Sequence, residues 1–170
     1  SKDSIIVDIR PKEDYEKWHI KDSINIDIYN EIWDNNHHSA AQKLLQVKTD
    51  KKVIAVCNAG VTAKIASQML QSQGKNSYYL EGGMMGWNRF HKTFTAVEDG
   101  DLIIKQIARI GKGCLSYLIA LKSRRECVII DPSHFVEEYV NIAKEMGFKI
   151  KGVIETHIHA DHISGAKQLA

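Results

Sequence analysis

The first half of the chain alternates short apolar runs with segments of helical periodicity. Apolar runs of a length typical of buried strands lie at residues 5–9, 24–28, 53–56 and 77–80. Between and after them, helices are predicted at residues 13–18, 40–45 and 84–90, and one more follows the third run. In that last helix Ala66, Met69 and Leu70 share one face, and Gly74 stands where a left-handed C-cap belongs. Strands that alternate with helices predict an α/β layer with a parallel sheet.

The second half begins after a polar stretch at residues 93–100, which we interpret as a linker. Alternating or apolar runs at residues 101–110, 115–121, 127–130 and 149–155 predict four further strands. A helix is predicted before the last strand, with Ser133 as its N-cap and Gly147 as its stop. Its apolar face would consist of Phe135, Tyr139, Ile142, Ala143 and Met146. The pattern therefore predicts one domain at residues 1–92 and a second at residues 101–170.

Composition excludes several classes of protein. The 170 residues are 44% hydrophobic and 26% charged, which suits one ordinary globular domain or two small ones. The net charge is +2 and the basic residues are scattered, so we expect no nucleic-acid surface. No apolar run reaches membrane-spanning length and no signal-peptide pattern opens the chain, so we expect no membrane partner. Three cysteines without a CxxC pair favour free thiols in a reducing, cytoplasmic setting.

A cysteine closes the third apolar run, at the junction between a predicted strand and a predicted helix. Backbone N–H groups of such a loop and of the first helical turn point inward, and they stabilise a thiolate placed among them. Cys57 is therefore predicted to be a nucleophile in an anion-binding loop. The loop residues are Asn58, Ala59, Gly60, Val61 and Thr62. The alternative is that Cys57 is only a small apolar residue of the core, as buried cysteines often are.

Histidines and an aspartate cluster directly after the last predicted strand. The sequence there reads THIHADH, in which the candidate metal ligands are His157, His159, Asp161 and His162. Positions two apart in an extended segment project to the same side, so His157 and His159 can converge. Nitrogen and carboxylate ligands suit zinc or iron. The alternative, a polar loop rich in histidine by chance, is disfavoured by this density of ligands.

Residues 1 to about 92 resemble the rhodanese (sulfurtransferase) family. The resemblance rests on VDIR at residues 7–10, on HI and SINI in residues 19–26, on Cys57 with Gly60, and on EGG at residues 81–83 with Trp87. It implies that Cys57 carries a sulfane sulfur as a persulfide, with Asp8 and Arg10 in supporting positions. Active loops of this family usually carry Arg beside the cysteine and often a basic residue at the loop's end, where this chain has Asn58 and Thr62. Because these two positions carry no positive charge, the sequence favours a thiol persulfide donor over an anionic donor such as thiosulfate.

The HxHxDH pattern resembles the metallo-β-lactamase superfamily, and within it the persulfide dioxygenases. GCLSY at residues 113–117 agrees with that subgroup, and Asp131 resembles the superfamily's aspartate at a strand end near the metal. The dioxygenase resemblance implies one iron, with His157 as the only direct ligand from this motif and the other three motif residues around it. Dinuclear zinc hydrolases of the same fold would instead hold one metal with His157 and His159, and the other with Asp161 and His162.

Together these resemblances imply an α/β rhodanese-like domain, with a parallel sheet flanked by helices, followed by part of an αββα metallo-β-lactamase-like domain. The implied function is sulfur transfer through Cys57, coupled to a persulfide dioxygenase domain that takes iron or zinc. A low-molecular-weight thiol or persulfide such as glutathione is the expected partner. The alternatives are a thioester hydrolase of the glyoxalase II type and a non-catalytic rhodanese-like binding module.

The chain lacks an initiator Met and ends soon after His162, so we expect it to be a segment of a longer protein. Ordinary domain sizes imply that residues 101–170 supply about half of a metallo-β-lactamase-like domain. We therefore expect weak metal binding and no oxidase or hydrolase turnover by this segment alone. A sheet face left uncovered would also allow association into a homo-oligomer.

Overall fold

The computed structural model describes residues 3–159 and 163–170. The chain divides into two compact units, Ser1–Asn88 and Arg89–Ala170. Within the described residues, no helix combines the length and the apolar character that crossing a bilayer requires.

The first unit is a parallel sheet with helices on its faces. Its elements are β1 (Ser4–Asp8), α1 (Lys12–Lys17), β2 (Ile24–Asn25), α2 (Tyr29–Trp33), α3 (His37–Leu44), β3 (Lys52–Val56), α4 (Val61–Ser72), β4 (Ser77–Tyr79) and α5 (Gly83–Arg89). The strand order is β2-β1-β3-β4 with every pair parallel, so β3 lies in the interior of the sheet. Interior strands of parallel sheets are covered on both faces, which explains the unbroken apolar run of β3.

Two apolar clusters lie on the two faces of this sheet. The larger cluster joins Val7, Val53 and Ala55 of the strands to Leu44 of α3 and Leu70 of α4. The smaller one joins Val56 to Ile20 and to Met84 of α5. Because both faces are covered, the carboxyl end of β3 and the loop after it are held from two sides.

The second unit is a mixed sheet with one long helix. Its elements are β5 (His91–Asp99), β6 (Leu102–Arg109), β7 (Cys114–Leu121), β8 (Glu126–Ile130), α6 (Val136–Glu145), β9 (Lys149–Ile154) and α7 (Ala166–Leu169). The order is β5-β6-β7-β8-β9, antiparallel except for the parallel pair β8–β9. Apolar residues of β6, β7 and β8 pack against Tyr139 and Ala143 of α6.

Five features of this structure differ from the sequence-based expectations. The stretch 93–100 is not a linker, because most of it belongs to β5, whose backbone pairs with β6 although its side chains are mostly exposed. The strand predicted at residues 24–28 is only Ile24–Asn25, because its partner strand β1 ends at Asp8, which pairs with Asn25. Helix α2 was not predicted, and α3 begins at His37 instead of residue 40 because the Asn36 side chain accepts from the Ser39 amide. Ser133 does not cap α6, which begins at Val136.

Candidate active-site loop and candidate metal site

The sulfur of Cys57 lies at the carboxyl end of β3 and accepts hydrogen bonds from two backbone amides. The Gly60 amide nitrogen is 3.1 Å from Sγ and the Ala63 amide nitrogen is 3.3 Å from it. Both donors belong to the start of α4, where N–H groups have no partner within the helix. The side chain is also buried in the apolar cluster, with 2% of Cys57 exposed. The two amides provide the environment that stabilises negative charge on sulfur.

The loop around Cys57 is held by the first turn of α5. The Met84 amide donates to the Cys57 carbonyl at 2.8 Å and the Met85 amide donates to the Asn58 carbonyl at 2.9 Å. Gly83 packs so tightly against this backbone that an added Cβ would lie 2.2 Å from the Cys57 carbonyl oxygen. The EGG turn therefore fixes the path of the loop that presents the sulfur.

The remaining loop residues differ in their surroundings. Gly60 has a φ of +89°, which suits the left-handed N-cap of α4 and favours glycine. Ala59 and Val61 face solvent, and Asn58 is half-buried. Thr62 is buried, and its hydroxyl has no hydrogen-bond partner among the described residues. The roles predicted for these side chains remain predictions.

Asp8 and Arg10 form a buried ion pair at the end of β1. The Arg10 Nη2 atom is 2.8 Å from Asp8 Oδ2 and donates to the Trp18 carbonyl at 2.7 Å. Between these two residues, the Ile9 amide donates a hydrogen bond to the carbonyl of Val56, the last residue of β3, at 2.9 Å. The pair therefore supports the strand end that precedes Cys57, and the Arg10 guanidinium is engaged within the fold.

The candidate metal ligands meet at the carboxyl ends of β8 and β9. These strands are parallel and Ile130 pairs with Ile154, so the residues that follow them leave the sheet at the same edge. One ligand atom from each of Asp131, His157 and His159 lies within 4.8 Å of the other two. Asp161 and His162 lie outside the described residues.

Hydrogen bonds from the segment that follows β9 orient the Asp131 carboxylate. The Thr156 amide donates to Oδ1 at 2.7 Å, and the Thr156 hydroxyl donates to Oδ2. Burial by itself raises the pKa of Asp131, but the two Thr156 hydrogen bonds oppose this and hold the pKa below its usual value. The carboxylate is therefore ionised at neutral pH, the form in which it binds a cation.

The two histidines differ in burial. The side chain of His159 is 5% exposed, and its Nε2 atom lies 3.3 Å from Asp131 Oδ1 and 3.0 Å from Glu155 Oε2. His157 is exposed, and its Nδ1 atom is 2.8 Å from the Thr156 hydroxyl. Two imidazoles and a carboxylate in reach of one another fit a zinc or iron ion by their donor chemistry.

Sequence reasoning missed several residues of both sites. Ala63 could have been found as the third helical residue, whose amide has no acceptor within the helix. Gly83 and Met84 act through contacts between segments distant in sequence, which no local pattern signals. Glu155 and Thr156 stand beside the histidine motif. Glu155 contacts His159 four residues further along the chain, whereas Thr156 reaches Asp131 because β8 pairs with β9.

Two protein families match the chain. The Rhodanese-like domain family matches residues 1–90, and the Metallo-beta-lactamase superfamily matches residues 109–170. These matches confirm the fold class predicted from the sequence, an α/β rhodanese-like domain with a parallel sheet followed by part of a metallo-β-lactamase fold.

Three relatives illustrate the similarity. The tRNA uridine(34) hydroxylase of Onion yellows phytoplasma is 29% identical over 61% of this chain and 33% of its own length. The thiosulfate sulfurtransferase GlpE of Pseudomonas syringae is 29% identical over 49% of this chain and 72% of its own length. The mitochondrial persulfide dioxygenase ETHE1 of Mus musculus is 39% identical over 32% of this chain and 22% of its own length.

The chain thus spans about a third of the hydroxylase and about a fifth of the dioxygenase. The rhodanese-like match covers more than half of the chain and contains Cys57 and the loop that surrounds it. The chain therefore belongs to the rhodanese-like domain family, and it continues into a region of the metallo-β-lactamase superfamily.

Proposed function

We propose that the first unit transfers sulfane sulfur through a persulfide on Cys57. The observation that carries this proposal is the pair of amides, of Gly60 and Ala63, that donate to Sγ. Donors to sulfur favour its thiolate form, and the thiolate is the nucleophile in sulfur exchange. A cysteine that served only as an apolar core residue would not require two amides directed at its sulfur.

The transfer step exchanges one S–S bond for another. The Cys57 thiolate attacks the outer sulfur of a donor persulfide, a new S–S bond forms at Cys57, and the donor leaves as its thiolate. No net oxidation or reduction occurs, so no further reactant is needed. The amides that hold the thiolate remain in place for the negative charge of the product persulfide.

A low-molecular-weight thiol persulfide of the glutathione type is the proposed donor. The side chains at positions 58 and 62 are Asn and Thr, which carry no charge to pair with thiosulfate. Arg10 is already engaged with Asp8 and the Trp18 carbonyl. The Thr62 hydroxyl has no hydrogen-bond partner in the part of the chain that the structure describes, so it can donate a neutral hydrogen bond to a ligand bound at the loop.

For the second unit we propose part of an iron-dependent persulfide dioxygenase, with zinc as the alternative metal. Asp131, His157 and His159 are the described residues that would hold or orient the ion. Bound iron would supply oxygen activation for the oxidation of persulfide sulfur to sulfite. Thr156 keeps the Asp131 carboxylate oriented and ionised, and Glu155 contacts His159. Sulfur would pass between the two activities as a free thiol persulfide.

Two other functions remain as alternatives. In a glyoxalase II-like hydrolase, the complete protein would bind two zinc ions and consume no oxygen. In a rhodanese-like binding module, Cys57 would not react, and its 2% exposure is the observation that favours this alternative.

Sulfur transfer to cyanide or to a thiol, measured with glutathione persulfide and with thiosulfate, tests the proposal. We expect faster transfer from the persulfide, and loss of transfer in Cys57→Ser. Cys114→Ser is the matched control, because Cys114 is a partly exposed thiol of the second unit. Equal rates for the wild type and Cys57→Ser would reject sulfur transfer and favour the binding module.

A further inference from the structure

A buried hydroxyl network connects helix α6 to the loop that carries Asp131. Tyr139 of α6 is the largest wholly buried side chain and has no exposed surface. Its hydroxyl oxygen is 2.9 Å from Ser116 Oγ, 2.9 Å from the Ser133 amide nitrogen and 3.1 Å from Ser133 Oγ. A tyrosine needed only for packing could be a phenylalanine, so this hydroxyl requires another explanation.

The network holds the loop on both sides of Pro132. Ser116 Oγ donates to the Asp131 carbonyl at 2.7 Å, and the Ser133 amide donates to the Tyr139 hydroxyl at 2.9 Å. Proline has no N–H to donate, and these two anchors use backbone groups of the residues on either side of it. Tyr139 and Ser116 are themselves hydrogen-bonded, and the two anchors therefore form one unit.

The backbone at Asp131 needs such anchors. Its φ is +49°, in the left-handed region that residues with a Cβ rarely adopt. Unfavourable backbone conformations persist only where the surroundings enforce them. The direction of the Asp131 side chain depends on this backbone conformation, so the anchors on the loop also direct the carboxylate towards Thr156 and His159.

The same loop binds the segment that follows the histidine motif. The Gly165 amide donates to the Pro132 carbonyl at 2.8 Å, and the His134 amide donates to the Ile163 carbonyl at 2.9 Å. A Cβ at Gly165 would lie 2.3 Å from the Ser133 carbonyl oxygen, which shows how closely the two segments approach. The anchored loop therefore positions both Asp131 and the segment that follows the histidine motif.

We infer that Tyr139 is a positioning residue of the metal site, which it never touches. Its hydroxyl fixes the loop 131–134, and through that loop it sets the place of the Asp131 carboxylate. This inference rests on the metal site of the proposed function. It assigns to α6 a role in metal binding in addition to its role in the core.

Tyr139→Phe tests the inference, because it keeps the ring and leaves the buried Ser133 amide without its acceptor. We expect zinc affinity, measured in the 170-residue chain by competition with a chromophoric chelator, to fall about tenfold, as for other residues that support metal ligands. We also expect faster hydrogen exchange at the Thr156 amide, which bonds to Asp131. Ile103→Val is the control, because it removes one methyl group from the same core and its cross-strand partner is Ala120 instead of a residue of the network.

A folded Tyr139→Phe protein with wild-type zinc affinity and wild-type exchange at Thr156 would overturn the inference. If the wild-type segment binds zinc too weakly to measure, the exchange rate at Thr156 alone decides: faster exchange supports the positioning role and unchanged exchange rejects it. If Tyr139→Phe does not fold, Ser116→Ala removes the neighbouring anchor and is judged by the same two outcomes.

Discussion

The two candidate sites share a feature at the residue scale: main-chain amides donate hydrogen bonds to the side-chain atom that would react or bind a cation. At Cys57 the amides of Gly60 and Ala63 donate to sulfur. At Asp131 the Thr156 amide donates to a carboxylate oxygen. Backbone donors are fixed by the fold and need little rearrangement when charge develops or a cation arrives.

The Asp131 carboxylate can be tested with a closely matched control. Asp131→Asn keeps the size of the side chain and removes the charge, so we expect zinc affinity to fall about 10–100-fold. Asp101 lies in the same unit and also accepts from a backbone amide and a hydroxyl, both of Ser123. Asp101→Asn should leave the affinity unchanged, as measured by chelator competition. Equal losses in the two variants would contradict a specific role for Asp131.

The sequence indicated both sites because their chemistry is concentrated in short segments. Cys57 stands between a strand and a helix, and His157 and His159 stand at alternate positions after a strand. Their orienting partners could not be predicted in this way. Met84 and Thr156 reach Cys57 and Asp131 only after separate segments pack or pair, and no local spacing encodes such a contact.

At the scale of elements, helix α5 positions the loop that carries Cys57. Its first amides donate to the Cys57 and Asn58 carbonyls, and Gly83 permits the close approach. The loop therefore depends on the turn before α5 as much as on β3 and α4. Changes in that turn should affect sulfur chemistry without altering any reacting group.

Gly83→Ala should distort the loop, because the new Cβ would lie 2.2 Å from the Cys57 carbonyl oxygen. Gly74→Ala is the control, since Gly74 also has a positive φ but nothing lies within 4 Å of a Cβ there. We expect Gly74→Ala to lower the free energy of unfolding by about 1 kcal/mol through backbone strain. Gly83→Ala should lower it by about 1–3 kcal/mol more through overpacking, measured by urea unfolding, and should slow sulfur transfer. Equal effects of the two variants would show that the close contact is unimportant.

Helices and strands that bury an apolar face could be predicted from the sequence. Strand β5, which is mostly exposed, could not. The apolar runs of β1, β3 and β8 and the apolar face of α6 are evident in the sequence. Strand β5 is exposed along most of its length, so polar residues such as Thr93 and Thr95 gave it the composition of a linker. Its strand conformation comes from hydrogen bonds to β6, which the apolar pattern does not record.

At the scale of the whole molecule, each of the two units has its own core and its own candidate site. In the second unit α6 covers one face of the sheet. The opposite face carries apolar side chains that are partly exposed, among them Leu115 and Leu121 of β7. Association through this face, and hence a homo-oligomer, remains a prediction.

The stability of the second unit should depend on pH through His91. Burial lowers the pKa of His91 below its usual value of about 6.5, because the charged imidazolium is poorly solvated there. Between the lowered pKa of the folded state and the usual value, the unfolded chain binds the proton more strongly than the folded chain. The contribution of His91 to the free energy of unfolding is therefore fully present above the usual value and is lost as the pH falls through this window. Chemical unfolding in the presence of a metal chelator should show this loss between neutral and mildly acidic pH.

His91→Gln should flatten that pH dependence, because the group that titrates differently in the two states is removed. His37→Gln replaces an exposed histidine of α3 and should leave the dependence as in the wild type. A dependence that persists unchanged in His91→Gln would assign the effect to other groups.

The most direct test of sulfur transfer is mass spectrometry of Cys57 after exposure to glutathione persulfide and removal of the excess donor. We predict that the peptide containing Cys57 gains the mass of one sulfur atom, that a thiol acceptor removes it, and that peptides containing Cys114 and Cys127 do not gain it. A Cys57 peptide that stays unmodified, in a protein shown to be folded, would contradict the central claim that this thiol takes up sulfane sulfur.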